Sequence, residues 1–145
     1  MDNKETYFNS NEFRELLQRY EHSLQIGRQE YFESEELTDI AEFYYKDNRM
    51  DEAISVLDYA IHLHPGAAMP LVFRGRMALI DENDVELARH YVDMIVDRLD
   101  LDCLYLQAEI MIAEKDVDGA DRFLRDNLER IDEDDVPDYI LDIAM

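Results

Sequence analysis

Four histidines, a single cysteine and 36 aspartates and glutamates are the side chains of this chain that could do chemistry. His62 and His64 stand two residues apart, so on a helix they point in different directions. Glu86 and His90 are four apart and share a helical face, as do Asp58 and His62. One carboxylate and one imidazole do not complete a metal site unless further ligands converge from elsewhere. His90, in mid-helix, reads as solvent-facing. Cys103 has no second cysteine and no histidine or asparagine nearby, and a nucleophile needs a base within hydrogen-bond reach. It reads as a packed or half-exposed thiol. The sequence holds no glycine-rich phosphate loop, no G-x-S-x-G and no H-E-x-x-H. Carboxylate pairs occur throughout and read as solvated faces. We therefore expect no catalytic, cofactor or metal site, and a chain that is not an enzyme.

The charge balance narrows the partners. With 36 acidic and 14 basic residues the formal net charge is −22. Phosphate backbones and anionic membrane surfaces both need lysine and arginine, so neither nucleic acid nor membrane is expected. Residues 101–145 alone hold 14 acidic and 4 basic side chains, a balance of −10. No apolar run approaches the ~20 residues of a membrane span. The first residues, MDNKETYFNSNEF, lack a basic segment leading into an apolar core, so no signal peptide is expected. One cysteine rules out an internal disulfide framework and suits a reducing compartment, and the expected location is cytoplasmic.

The elements that carry these side chains are helices. Only 4 glycines and 3 prolines in 145 residues favour long helices with short turns, and apolar residues at 47% suffice for a core. Residues 34–67 are the clearest stretch. Leu37, Ile40, Ala41, Tyr44 and Tyr45 recur at helical spacing, as do Ala53, Ile54, Leu57, Ala60, Ile61 and Leu63, with a turn at Lys46-Asp47-Asn48 between them. Small residues (Ala41, Ala53, Ala60) stand where two helices approach most closely. Pro65 stops the second helix.

This stretch resembles the tetratricopeptide repeat, a helix–turn–helix of about 34 residues. With Ser34 as position one, Ala41 takes the small eighth position and Tyr44 the aromatic eleventh. Ala53, Ala60 and Pro65 fall at positions 20, 27 and 32, while Leu37 and Leu57 stand where Trp and Phe are usual. The pattern returns at 68–100. There Gly75 follows Ala41 by 34, and a turn one residue longer (Asp81-Glu82-Asn83) puts Ala88 35 after Ala53. It returns more weakly at 101–133, where Ala108 follows Gly75 by 33 and Ala120 follows Ala88 by 32.

Before the first unit, residues 1–33 are read as a polar, frayed tail followed by a covering helix. That helix is capped by Asn11 and carries Phe13, Leu16, Leu17, Tyr20 and Leu24 to about Gly27. Leu16, Tyr20 and Ser23 give it the spacing of a half-repeat, and Tyr31 and Phe32 are expected to pack inward. Asn83 with Glu86 reads as a capping-box variant, and the helix behind it is expected to carry Leu87, Ala88, Tyr91, Val92, Ile95 and Leu99. Met50, Met77, Met94 and Met111 read as core fillers. Residues 134–145 read as a last helix starting at Pro137, with Tyr139, Ile140, Ile143 and Ala144 on its apolar face. It is either a cap or the start of a further repeat; few charges on its outer face favour a longer protein. The expected fold is an all-α solenoid of antiparallel pairs: three units, an N-terminal half-repeat and a C-terminal helix, about seven helices in all.

The resemblance implies a concave groove built mainly from first helices. Its residues here would be Glu35, Thr38, Glu42 and Tyr45, then Met69, Val72, Arg76 and Leu79, then Asp102, Tyr105, Glu109 and Ile112. The lysine and asparagine clamp with which one subclass holds chaperone C-termini is absent, and Glu35, Glu42 and Glu109 would repel a carboxylate. An apolar strip (Tyr45, Val72, Leu79, Tyr105, Ile112) edged by acids favours an amphipathic or basic segment of a protein partner. The expected function is a non-catalytic adaptor. Self-association, with a dimer contact through the C-terminal helix, and a regulatory fragment of a longer protein stay open beside it.

Overall fold

Helices start where the chain offers acceptors to free amide groups. The computed structural model describes residues 3–131. Among them lie eight helices and no strand: α1 (Asn3–Phe8), α2 (Asn11–Gln25), α3 (Ser34–Lys46), α4 (Met50–Leu63), α5 (Ala68–Ile80), α6 (Val85–Asp93), α7 (Leu101–Ala113) and α8 (Val117–Arg130). Asp100 and Asp116 cap α7 and α8, accepting from the amides of Cys103 and Gly119 at 3.0 and 2.9 Å. Glu33 and Glu36 close a capping box at the start of α3. After α3, α5 and α7 the backbone passes through the left-handed region at Asn48, Asn83 and Lys115, with φ of 60°, 51° and 67°. The amides of Arg49 and Asp116 reach back five residues, to the carbonyls of Tyr44 and Met111, both at 2.9 Å. The same tight turn thus folds α4 onto α3 and α8 onto α7, and a longer version folds α6 onto α5.

The chain divides into two units, Met1–Pro65 and Gly66–Met145. In the first, α3 and α4 pair through fully buried Ala41, Ala53 and Ala60. Buried rings surround them: Phe13 and Tyr20 from α2, Phe32 from the connection, Tyr44 from α3. In the second, α5 pairs with α6 and α7 with α8, and α7 also packs on both α5 and α6. Gly75 marks a close approach between helices. A Cβ there would lie 2.9 Å from a methyl of Leu106 and 3.5 Å from the carbonyl of Ala88.

Several local readings need correction. The expected frayed tail contains α1, held by rings: Phe8 lies 4.8 Å from Phe13, and Tyr7 lies 5.3 Å from it. The cap of α2 is Ser10, whose hydroxyl accepts from the Phe13 amide at 3.2 Å, not Asn11. The cap of α6 is Asp84, not Asn83, which is spent on the left-handed turn. Helix α6 ends at Asp93 instead of running on to Leu99. The Ile95 amide turns back to Val92, the Val96 amide donates to Gly66, and Arg98 donates to the Val92 carbonyl, which consumes the groups a further turn would need. Ile95 is still buried, whereas Leu99 and Met94 are exposed. Phe32 is buried but Tyr31 is exposed, since neighbours on an extended segment face opposite ways. The helix expected at 137–144 lies outside the described residues.

Candidate functional site

The groove residues named from sequence behave differently in the two units. In Met1–Pro65, Glu35 is exposed and Tyr45 half-buried. Glu42 is held by Lys46 of its own helix at 3.5 Å. Thr38 is not a surface residue: it is 6% exposed, and its hydroxyl donates to the Ser34 carbonyl at 2.7 Å. A threonine one turn into a helix can satisfy itself this way and turn inward. In Gly66–Met145, Val72 is likewise buried, at 5% exposure, because α5 is covered on more sides than one stripe predicts. Met69 and Ile112 are exposed, Asp102 is exposed, and Leu79 and Tyr105 are half-buried. Arg76 and Glu109 do meet: the guanidinium donates to both carboxylate oxygens at 2.9 and 3.3 Å. Those two predicted groove residues neutralise each other.

An open cavity of about 590 Å³ lies within the first unit, between α2 and α3. Glu12 and Glu15 line it from α2; Glu35, Glu36 and Asp39 line it from α3. Leu16 and Tyr7 add apolar surface, and Arg19 is the one cation among its lining residues. Arg19 is already engaged, with its guanidinium over the Phe32 ring at 4.4 Å and carboxylates of Glu30 and Glu36 each at 3.8 Å. The cavity therefore presents an excess of negative charge beside apolar surface. Of these residues Glu35 is among those expected from sequence, whereas Asp39 and the α2 wall are not, because α2 forms one side of a recess as well as covering the end of the α3–α4 pair.

Asp39 is the most enclosed of these carboxylates. It is buried on α3, and Lys4 of α1 donates to it at 2.7 Å. Burial opposes the Lys4 charge, but the Asp39 hydrogen bond and the charges of Asp39, Glu42 and Glu35 outweigh it and raise its pKa. Burial, then Asp39, also raises the Tyr7 phenol. A helical period alone does not disclose this pairing, since Lys4 and Asp39 are 35 residues apart.

Other chemistry-bearing side chains serve the fold. His64 Nε2 lies 2.7 Å from the Phe32 carbonyl, and the Tyr59 hydroxyl donates to the Glu30 carbonyl, so both pin the segment before α3. Arg74 is 6% exposed, pairs with Glu82 and stacks over Tyr91 at 5.1 Å; its Nε has no partner among the described residues. Cys103 is buried, and burial above all raises its pKa, which makes it a poor nucleophile. His90 is exposed and edges on to the Tyr91 ring. Among the described residues, no three His, Cys, Asp or Glu side chains converge as a metal site. Nor is any helix there long and apolar enough to cross a membrane. No protein-family model, curated protein or solved structure matches the chain.

Proposed function

We propose that the chain is a non-catalytic interaction module that binds a basic or amphipathic segment of a protein partner. The observation that carries this reading is the recess between α2 and α3, where six carboxylates (Glu33 among them) and two apolar side chains face a single, already engaged arginine. A cationic segment relieves that repulsion, and its apolar face gains contact with Leu16 and Tyr7. The three helix pairs with their shared turns support a reading as tetratricopeptide-like units, whose repeated surfaces present side chains in register. A cytoplasmic setting suits the lone buried thiol.

The reading is tested by titrating the protein with a helical peptide of alternating leucine and lysine patches, against a version with glutamate in place of lysine. The lysine peptide binds at micromolar level, about 8 kcal/mol, and weakens with added salt. Glu12→Gln/Glu15→Gln, which removes the α2 wall of charge, weakens it about tenfold. Equal binding by the double variant, or no preference for lysine over glutamate, overturns the reading. Self-association is the second reading, favoured by exposed Met69, Ile80, Ile112 and Val117 in Gly66–Met145. A sedimenting mass that rises with concentration and returns to the monomer value in Ile80→Lys/Ile112→Lys establishes it.

A further inference from the structure

Helix α1 is six residues long, too short to hold its shape alone. It is held from two sides: by Phe13 of α2, whose ring lies 5.3 Å from Tyr7 and 4.8 Å from Phe8, and by one stripe of α3, in which Glu35, Asp39, Phe43 and Lys46 follow each other at helical spacing. Lys4 pairs with Asp39 at 2.7 Å. Phe8 meets the Phe43 ring edge-on at 5.7 Å, and the Lys46 ammonium stands 5.6 Å from the Phe8 ring. Lys4 itself lies 5.7 Å from the rings of both Tyr7 and Phe8. The stripe thus already carries a ligand, and the chemistry of that ligand is explicit: a cation, two residues, then an aromatic pair. The contacts to the stripe are one partly exposed ion pair and ring edges, the kind of attachment that opens locally while the rest of a fold stays closed.

We propose that α1 is an exchangeable internal ligand, covering the α3 stripe until a partner helix with a lysine or arginine three positions ahead of an aromatic pair displaces it. This rests on the partner-binding reading above and specifies the partner. A tethered segment competes at an effective concentration on the order of millimolar, so weak or wrongly spaced segments are kept out. The displacing helix gains the same Asp39 pairing and ring contacts, and its flanks reach the acidic recess beside the stripe.

The test uses the whole chain and a fluorescent peptide with the sequence of residues 3–10, NKETYFNS. Lys4→Ala/Phe8→Ala weakens the tethered copy without touching the stripe. This variant binds the peptide about tenfold or more tighter than the unaltered chain, because the competing copy is weakened. The binding falls with salt and is lost when Asp39→Asn is added. Equal binding by the variant and the unaltered chain, or none by a variant that retains its helix content, overturns the proposal. Hydrogen exchange on the unaltered chain gives a second check. Amides of Tyr7 and Phe8 exchange at least about tenfold faster than those of Ile40 and Ala41, and equal protection overturns it. The peptide reports on the α3 stripe and the Glu12/Glu15 variant on the α2 wall. Failure of exchange with the lysine peptide still bound sinks the internal ligand alone, whereas loss of lysine-peptide binding sinks the wider reading.

Discussion

Position nine of each helix pair, counted from the start of its first helix, holds Glu42 in Met1–Pro65 and holds Arg76 and Glu109 in Gly66–Met145. In the second unit the two side chains lie on neighbouring helices and close on each other in a fork. In the first, Glu42 is answered by Lys46 of its own helix, and the carboxylate one turn before, Asp39, is answered from α1. The scaffold places charge on the same helical position in both units. What differs is where the countercharge comes from. A cation built into the next helix of the stack leaves a neutral surface that needs nothing further. A cation on a separate short segment leaves a surface whose partner can change. The cores differ in the same sense: rings and hydroxyls in the first unit, closely approaching aliphatic helices around Gly75 in the second.

The comparison is broken most forcefully at Phe13. It is fully buried, with Tyr7, Phe8 and Phe43 rings 5.3, 4.8 and 5.3 Å away, so it ties α1, α2 and α3 together. Phe13→Ala costs about 3–5 kcal/mol, a large share of the roughly 5–15 kcal/mol of a typical domain. Hydrogen exchange should show the loss in α1–α4. If α5–α8 lose as much protection, the aromatic cluster is not a property of the first unit alone.

Alkaline pH probes the ring core of the first unit by a gentler route. Burial, reinforced by the charges of Tyr59, Glu21 and Glu52, pushes Tyr20 from its ordinary value of 10 up to about 12. Burial, with the hydrogen bond to Glu21, raises Tyr44 as well. A raised acid pKa means the folded state holds its proton longer than the unfolded state does. The associated stability is complete below pH 10 and is lost as pH climbs toward 12. Denaturant midpoints read from amides of α2 and α3 should therefore fall across that window, and Tyr20→Phe should flatten the fall. An unchanged slope in the phenylalanine variant refutes the assignment.

How legible this was in the sequence depends on the range of each interaction. The helix pairs were legible because a buried stripe repeats every three to four residues, and because Ala41, Ala53, Ala60 and Gly75 mark close contact by size alone. The Asn48 turn showed for the same local reason. Lys115 did not, since nothing about a lysine announces a left-handed backbone. Helix α1 was missed because six residues carry too little period to be seen, and its stability comes from Phe13, Phe43 and Asp39 far along the chain. Thr38 and Val72 fall on the surface if one stripe is the whole buried face, whereas each helix has neighbours on several sides. Of the named groove residues, Arg76 and Glu109 are joined directly by a hydrogen-bonded contact, and Asp39 was absent from the set.

The smallest effect bears most directly on the comparison. Arg76 and Glu109 are each a little over one-third exposed, at 37% and 38% of the side chain. Solvent screens such a pair, so a double-mutant cycle on Arg76→Ala and Glu109→Ala should return a coupling of about 0.5–1 kcal/mol, the upper part of the surface range because the contact is forked. The stability change is modest, but the change in surface character is not. Arg76→Ala leaves Glu109 without its countercharge and turns the second unit's face acidic, like the first unit's. It should therefore add low-salt affinity for the lysine peptide, and adding Glu109→Ala should remove it again. If the coupling is zero and Arg76→Ala binds no more peptide than the unaltered chain, the two side chains are independent surface groups. The source of the countercharge would then not be what distinguishes a closed face from an exchangeable one.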